Sequence, residues 1–589
     1  MLVTVLLVLT FSNWAYFQGT ATSSPSKAGR VTAFVNVNVV PMDRERVLEG
    51  QTVIIRDGRI SELGHVAKVK VPKDAVRIDG RGKYLMPGLI DMHVHLRSET
   101  ELPLYIINGV TTVFNLDGRP AHLVWREKIA GGEMFGPTIY TCGPKFDKPR
   151  TSEESVKEVE AQSKAGYDGV KIYAQVSKAE YPALMAAARR HHMLIVGHVP
   201  REVGFEGMLK AGQALEHAEE IIYTYFNNTI DIDKIKLEES RIPQVVALIH
   251  ESGIWFTPTL VTYDQIVQQA DDLTAFLARP EMKYIQPALL FKLSPENNGY
   301  KRGISPRQVP KFKQSLAFQK KLVRALHEAG VPMLAGTDSM GIGTTAGFSL
   351  HEELRNFIEC GFTPFEALQT ATSKAAEFLQ AANDFGTITV GMRADLILLE
   401  DNPLKEVNNA TRRAGVMVRG QWLPEAELLG TRDELPSVYA REEESVKTNL
   451  EHDIDKALQY LDENDPSGFL SSYVLTSVCL EQGTDRLARI VGEVKRGRHP
   501  EATLVQERTI NALGYQLLRT KKLKEAIEIF RLNVETYPKS ANTYDSLAEA
   551  YMSDGNKELA IEYYKKALEV DPKYPNAEFA IEFLKKVNQ

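Results

Sequence analysis

Between residues 89 and 335 the chain passes through eight short apolar runs, most of them separated by stretches of helical periodicity, and nothing else limits its fold as strongly. The runs are residues 89–92, 109–113, 138–140, 169–172, 194–197, 214–216, 254–256 and 332–335; helical patterns occupy gaps such as 177–192 and 311–329. Eight strands alternating with helices over about 250 residues are what a TIM (β/α)8 barrel requires, so an α/β fold of that kind is expected over residues 86–383.

The flanks have a different texture. Residues 31–85 read as short strands with tight turns, Asp57-Gly58 marking a hairpin, and similar strands return over 384–424. Two β-rich stretches bracketing the barrel predict one small composite β-sandwich domain. After residue 424 the chain becomes helical and charged. Ile510, Leu513, Gly514, Ala526, Phe530 and Pro538 realign with Tyr544, Leu547, Ala548, Ala560, Tyr564 and Pro572 when shifted by 34 residues. That is the tetratricopeptide pattern, expected over 507–589, with 425–506 as a helical connector. The polar stretch 267–308 reads as a partly helical insertion between the seventh and eighth strands.

In a barrel of this type the chemistry collects at the carboxyl ends of the strands. His93 and His95 follow the first run, Lys171 lies in the fourth, His198 ends the fifth, His217 follows the sixth and Asp338 follows the eighth. Imidazoles and a carboxylate suit a borderline divalent cation, and two His on alternate strand positions share a face. A protonated lysine repels a metal, so its presence among these ligands points to chemistry. Singly, each residue has an ordinary reading, as a core histidine, an ion-paired lysine or a turn aspartate; the ordered set carries the metal assignment. Tyr173, Tyr223, Arg119 and His122 are candidate substrate contacts, the last two placed in the loop after the second strand, where a cationic clamp would hold a carboxylate.

The net charge of −7 gives no basic footprint for nucleic acid. Three cysteines lack any paired spacing and read as buried small hydrophobes. The apolar run Leu2 to Phe11, followed by Gly19-Thr20-Ala21, reads as a signal peptide over 1–21, with periplasmic or secreted localisation. The alternative is an uncleaved anchor; no later segment is a stable membrane span.

The segment Pro87-Gly88-Leu89-Ile90-Asp91-Met92-His93-Val94-His95 resembles the opening motif of the amidohydrolase superfamily. Gly386-Thr387-Ile388-Thr389-Val390-Gly391-Met392-Arg393-Ala394-Asp395 resembles the segment that returns such chains to their β-sandwich. Locally, Gly169-Val170-Lys171-Ile172-Tyr173 and Gly197-His198-Val199-Pro200 are most similar to the imidazolonepropionase-related branch containing metal-dependent Xaa-Pro dipeptidases. The resemblance implies two divalent metal ions, zinc first with manganese or cobalt as alternatives. It assigns His93, His95 and Asp338 to one, His198 and His217 to the other, and Lys171 to both as a carbamate formed with carbon dioxide. It also implies a bridging hydroxide as nucleophile and Asp338 as the catalytic proton acceptor. The expected activity is hydrolysis of an amide in a dipeptide or N-acyl amino acid. Alternatives are lactone or phosphotriester hydrolysis on the same site, or a non-catalytic scaffold acting through the repeats, which are themselves expected to bind a protein partner or mediate self-association.

Overall fold

The computed structural model describes residues 31–339, 341, 343–465, 468–572, 574 and 581–582. The expected signal peptide lies outside the described residues. The chain divides into two compact units, one of residues up to 281 with 304–435, the other of residues 282–303 with 436–589.

In the first unit both flanks of the chain enter one eight-stranded sheet. Strands β1 (Thr32–Val39), β2 (Leu48–Arg56), β3 (Arg59–His65), β4 (Val76–Asp79) and β5 (Tyr84–Pro87) come from the N-terminal side. After the middle of the chain come β13 (Leu396–Leu399), β14 (Arg413–Val418) and β15 (Gln421–Pro424). The order is β15-β14-β13-β5-β1-β2-β3, with β4 on β1. The two flanks meet where β13 runs antiparallel to β5, Leu396 opposite Pro87 and Leu399 opposite Tyr84. In a flat sheet β1 and β15 would lie roughly 19 Å apart, four strand spacings. The Phe34 and Trp422 rings nevertheless meet edge-on at 5.2 Å, so the sheet curls over its own apolar face. Phe34, Val53, Leu85, Leu396 and Met417 fill the enclosed core.

The middle of the chain supplies parallel strands whose residues are buried on nearly every position, as strands covered on both faces must be. Strands β6 (Leu89–Val94), β7 (Val110–Asn115) and β8 (Thr138–Thr141) form one run. Strands β9 (Gly169–Ile172), β10 (Leu194–Gly197), β11 (Ala214–Glu216) and β12 (Phe256–Thr257) form another. Bridges join the runs at both edges. Cys142 pairs with Gly169, and Phe256 with Met333. The eighth apolar run makes only isolated bridges, yet its backbone reaches both neighbours: Leu334 N donates to Phe256 O at 3.0 Å and Met92 N to Ala335 O at 2.9 Å. Hydrogen bonding therefore passes around eight parallel segments, as the barrel expectation requires. Gly336 permits the closure, since a Cβ there would sit 2.6 Å from Thr257 Cγ2 and 2.7 Å from His93 Cβ.

The second unit is helical. Residues 282–303 of the polar insertion pack with the C-terminal helices: Tyr439 donates its hydroxyl proton to Tyr284 O at 3.2 Å, Phe291 meets Tyr473 ring to ring at 5.6 Å, and Arg519 Nε donates to Asn297 Oδ1 at 3.2 Å. The 34-residue period appears as two helix pairs, Glu507–Arg519 with Leu523–Thr536 and Ala541–Ser553 with Lys557–Val570. Gly514 lies against the Phe530 ring so closely that a Cβ would approach it to 2.5 Å. One period on, Ala548 and Tyr564 repeat this small-against-aromatic contact position and are likewise buried. The helices Ile454–Asn464, Phe469–Gln482 and Thr484–Arg496 extend the same apolar cluster, which two repeats alone could not close.

All three cysteines are free and buried. Among the described residues, no helix is long and apolar enough to cross a membrane.

Candidate metal centre

The six predicted ligands gather at the carboxyl ends of the barrel strands. His93 and His95 stand on alternate positions at the end of β6, and Asp338 arrives from the eighth segment, Val94 bridging Ser339. Asp338 Oδ1 lies 2.9 Å from His95 Nε2 and 3.4 Å from His93 Nε2. Lys171, fully buried on β9, places Nζ 3.5 Å from His93 Nε2. The His217 ring is 4.7 Å from that of His93 and 4.8 Å from that of His198. Ligand atoms of His93, His217 and Asp338 fall within 4.8 Å of one another.

A layer of acceptors behind the imidazoles aims them inward. His93 Nδ1 meets Glu216 Oε2 at 2.6 Å, and Glu216 also accepts from Thr257 Oγ1 at 3.3 Å. His217 Nδ1 meets Thr259 Oγ1 at 2.7 Å. His198 Nδ1 lies 3.4 Å from Glu220, which a bidentate Arg201 holds at 2.8 and 2.9 Å. With the Nδ1 atoms of His93, His198 and His217 engaged behind, their Nε2 atoms are left for the centre, the arrangement expected of metal-binding histidines. One layer deeper, Asp91 accepts from Thr337 Oγ1 at 2.6 Å and ties the first strand to the eighth; burial pushes its carboxyl up to about 7. The backbone carries strain here. His217, Thr259 and Asp338 all have positive φ, at 71°, 48° and 53°, a conformation that is uncommon for non-glycine residues.

The electrostatics follow from burial. Desolvation drives the Lys171 ammonium below its ordinary value, and it does the same to His198 and, more strongly, to His217. Burial alone would raise Asp338, but its contacts with His93 and His95 outweigh that and hold it well below the carboxylate range. His93 differs: burial and Lys171 push it down, but Glu216 and Asp338 raise it overall. Buried imidazoles, one ionised carboxylate and one amine inclined to lose its proton have the donor chemistry of a divalent-metal site. The residues fit a divalent cation, His93, His217 and Asp338 lying close enough together to hold one.

The predicted substrate contacts are placed unequally. Tyr173 packs its ring 4.5 Å from that of His198, with Lys171 Nζ 5.8 Å from its centroid, and so borders the centre. Tyr223 lies six residues beyond His217 in the wide helical turn Ile222–Phe226 and interacts with Tyr263 and Glu219. Arg119 is the N-cap of the helix Pro120–Ala130, and its guanidinium is 3.8 Å from Asp117. His122 differs from expectation. It sits in the first turn of that helix, fully buried, with Nδ1 engaged by Asn115 Nδ2 at 2.9 Å and by the Arg119 amide at 3.2 Å. It caps the helix and offers no exposed edge as a clamp. Glu216, Glu220 and Thr259 escaped sequence reasoning. An acidic residue next to His217 within a buried strand was the one available signal; Thr259 gives none, because its place depends on the turn after β12.

A family model described as Amidohydrolase family matches residues 84–423, and one described as Tetratricopeptide repeat matches residues 542–574. By sequence, the chain is 25% identical over 396 residues to an adenine deaminase from Ruegeria sp. (strain TM1040), covering 63% of this chain. The match covers 54% of that protein, so the chain spans about half of its length. Among solved structures it is similar to a Xaa-Pro dipeptidase with bound methionine in the active site, at 20% identity and a TM-score of 0.52, over 67% of this chain and 100% of that one. It is also similar to bottromycin amidohydrolase, at 20% identity and a TM-score of 0.56, over 74% of this chain and 95% of that one. At these identities the structural likeness shows the fold alone.

Proposed function

Given that the chain belongs to the amidohydrolase family, with the matched region spanning the whole ligand set, we propose that it is a binuclear metal-dependent hydrolase that cleaves a carbon–nitrogen amide bond, its substrate a dipeptide or N-acyl amino acid. The observation that carries this reading is Lys171, buried among four histidines and an aspartate with its amine inclined to be neutral.

When bound, two divalent cations would supply the positive charge that makes a water acidic and a carbonyl electrophilic. His93, His95 and Asp338 would hold one cation, and His198 and His217 the other. Lys171 would span them as a carbamate: its neutral nitrogen attacks the carbon of carbon dioxide, an N–C bond forms, one C=O electron pair moves to oxygen, and the nitrogen proton leaves to solvent. The product is a bidentate anion in place of a cation, which suits two dications and reconciles a lysine with a metal site. Asp338, held ionised beside His95, would take the proton of the attacking water at a carboxylate oxygen and hand it to the departing nitrogen.

Export, expected from the N-terminal apolar run, is part of the same reading. Deamination is the second reading, favoured by the sequence match to the Ruegeria adenine deaminase. A panel of dipeptides, N-acyl amino acids, lactones, phosphotriesters, adenine and adenine nucleosides separates them. Activity confined to adenine and its nucleosides or to the esters removes the amide proposal. Lys171→Ala should lose both metal and turnover, and added short carboxylic acids should restore part of each. A variant that keeps about two equivalents of metal per chain would show that Lys171 does not hold them.

A further inference from the structure

The first helices of the two repeats, Glu507–Arg519 and Ala541–Ser553, share one polar face. Arg508, Asn511 and Tyr515 recur one 34-residue period later as Asn542, Asp545 and Glu549. Spacings of three and four residues put each trio on a single side of its helix. Glu507, Arg508, Asn511, Tyr515 and Asn542 line an open cavity of about 570 Å³, a size that suits a bound ligand. Asp545 and Glu549 continue this face along the second helix. Tyr515 joins the two parts: it donates its hydroxyl proton to Glu549 Oε2 at 2.6 Å and stands 3.2 Å from Ser546 Oγ.

The continued face is acidic, and Asp545 has no counter-ion among the described residues. Asp545 is only 3% exposed, and its Oδ1 has no hydrogen-bond partner. Burial and the neighbouring Glu549 push its carboxyl up to about 6, with no cation opposing them. Burial and the same two carboxylates also raise the phenols of Tyr515, Tyr564 and Tyr574, so three aromatic rings surround the pair. A second buried acceptor, Asn533 Oδ1, lacks a donor as well; its Nδ2 reaches the cavity-lining Asn511 Oδ1 at 3.4 Å. Buried acceptors without donors disfavour the free fold, and a bound donor relieves them.

We propose that this face binds an extended segment of a partner protein through a lysine, whose ammonium sits between Asp545 and Glu549. An ammonium carries three donors and no acceptor, which suits a place that offers only acceptors. Its compact charge on a flexible stem reaches a buried carboxylate. A guanidinium fork would need both oxygens of one carboxylate, and Glu549 has already committed Oε2 to Tyr515. The tyrosine rings supply apolar walls for the four-carbon stem. Asn511 and Asn542 stand beside it with amides that match a peptide backbone. The inference is independent of the hydrolase reading.

The test uses the full chain and a nine-residue peptide of alternating alanine and serine with one central lysine, acetylated and amidated at its ends. Its counterparts carry norleucine or glutamate in place of the lysine. Calorimetry on wild type should show the lysine peptide binding about ten- to a hundred-fold more tightly than the norleucine peptide, the scale of a charge-assisted hydrogen bond. The glutamate peptide should bind most weakly. Asp545→Asn and Glu549→Gln should each reduce the lysine preference. Asp545→Asn should also melt no lower than wild type, because it removes an unpaired buried charge. A lower melting temperature would mean that the carboxylate serves the fold, and would overturn the proposal. Equal binding of the lysine and norleucine peptides, no binding of either at millimolar concentration, or a preference that survives Asp545→Asn would also overturn it. Calcium bound in place of the peptide and lost in Asp545→Asn would make this a metal site and refute the peptide reading. Self-association lost in the same variant would assign the face to a second copy and refute the partner.

Discussion

Replacing Glu216 by Gln removes one charge from behind His93 and leaves the packing nearly intact. The 2.6 Å contact between His93 Nδ1 and Glu216 Oε2 is buried on both sides, so solvent does not soften it. Gln retains an amide oxygen that can accept from Nδ1–H, and it loses the carboxylate's charge. A hydrogen bond to a charged group contributes about 1.5–3 kcal/mol and a neutral one about 0.5–1.5, so the substitution should cost about 1–2 kcal/mol of metal binding. At 298 K that is roughly a 5- to 30-fold loss of affinity, overlapping the lower part of the roughly 10- to 100-fold range found for partners behind metal ligands. Glu216→Ala should do worse, since it also orphans a buried imidazole N–H, a further cost of about 1–3 kcal/mol. The assay is competition between metal-stripped protein and a chromophoric chelator for zinc, with metal content measured independently by mass spectrometry. If Glu216→Gln binds within twofold of wild type, or Glu216→Ala is no weaker than Gln, packing alone orients His93 and the reasoning from its Nδ1 partner is wrong.

Glu353 accepts the Leu260 and Val261 amides at 3.0 and 2.7 Å from a fully buried position, and burial pushes its carboxyl up to about 8. The fold thus disfavours the ionised form. The stability this residue contributes is full below the unfolded value near 4.5 and declines as pH rises towards 8, by on the order of a few kcal/mol in all. Urea melts should therefore show Glu353→Gln gaining on wild type between pH 5 and pH 8; parallel pH profiles would contradict this. In the helical unit, Gly514→Val should drive a side chain into the Phe530 ring and cost about 1–3 kcal/mol. A melting temperature equal to wild type in the full chain would count against that packing.

Much of the centre was legible because a strand end is a local property. His93, His95, Lys171 and His198 are each announced by the apolar run that carries them, and the composite sheet by its returning strand texture. What escaped depends on contacts far apart in the chain. Glu216 could be read only as a strand letter until His93 appeared beside it from 123 residues away. Thr259 takes its role from a left-handed backbone turn that no propensity forecasts. His122 looked like loop chemistry because, beside the Arg119 amide that it caps, its other Nδ1 partner, Asn115, lies back in β7. Residues 282–303 were read as part of an insertion between the seventh and eighth strands, and their Tyr284, Phe291 and Asn297 find partners beyond residue 436.

The pairing of β5 with β13 bears on how the chain can be made. During synthesis Tyr84–Pro87 must wait for Leu396–Leu399, about three hundred residues later, before its open edge is covered. Until the ribosome has passed that point, a nascent chain exposes a strand edge beside an apolar face. A chaperone that binds extended apolar segments has that interval in which to act, and a product terminated before residue 396 should aggregate rather than accumulate as a free barrel.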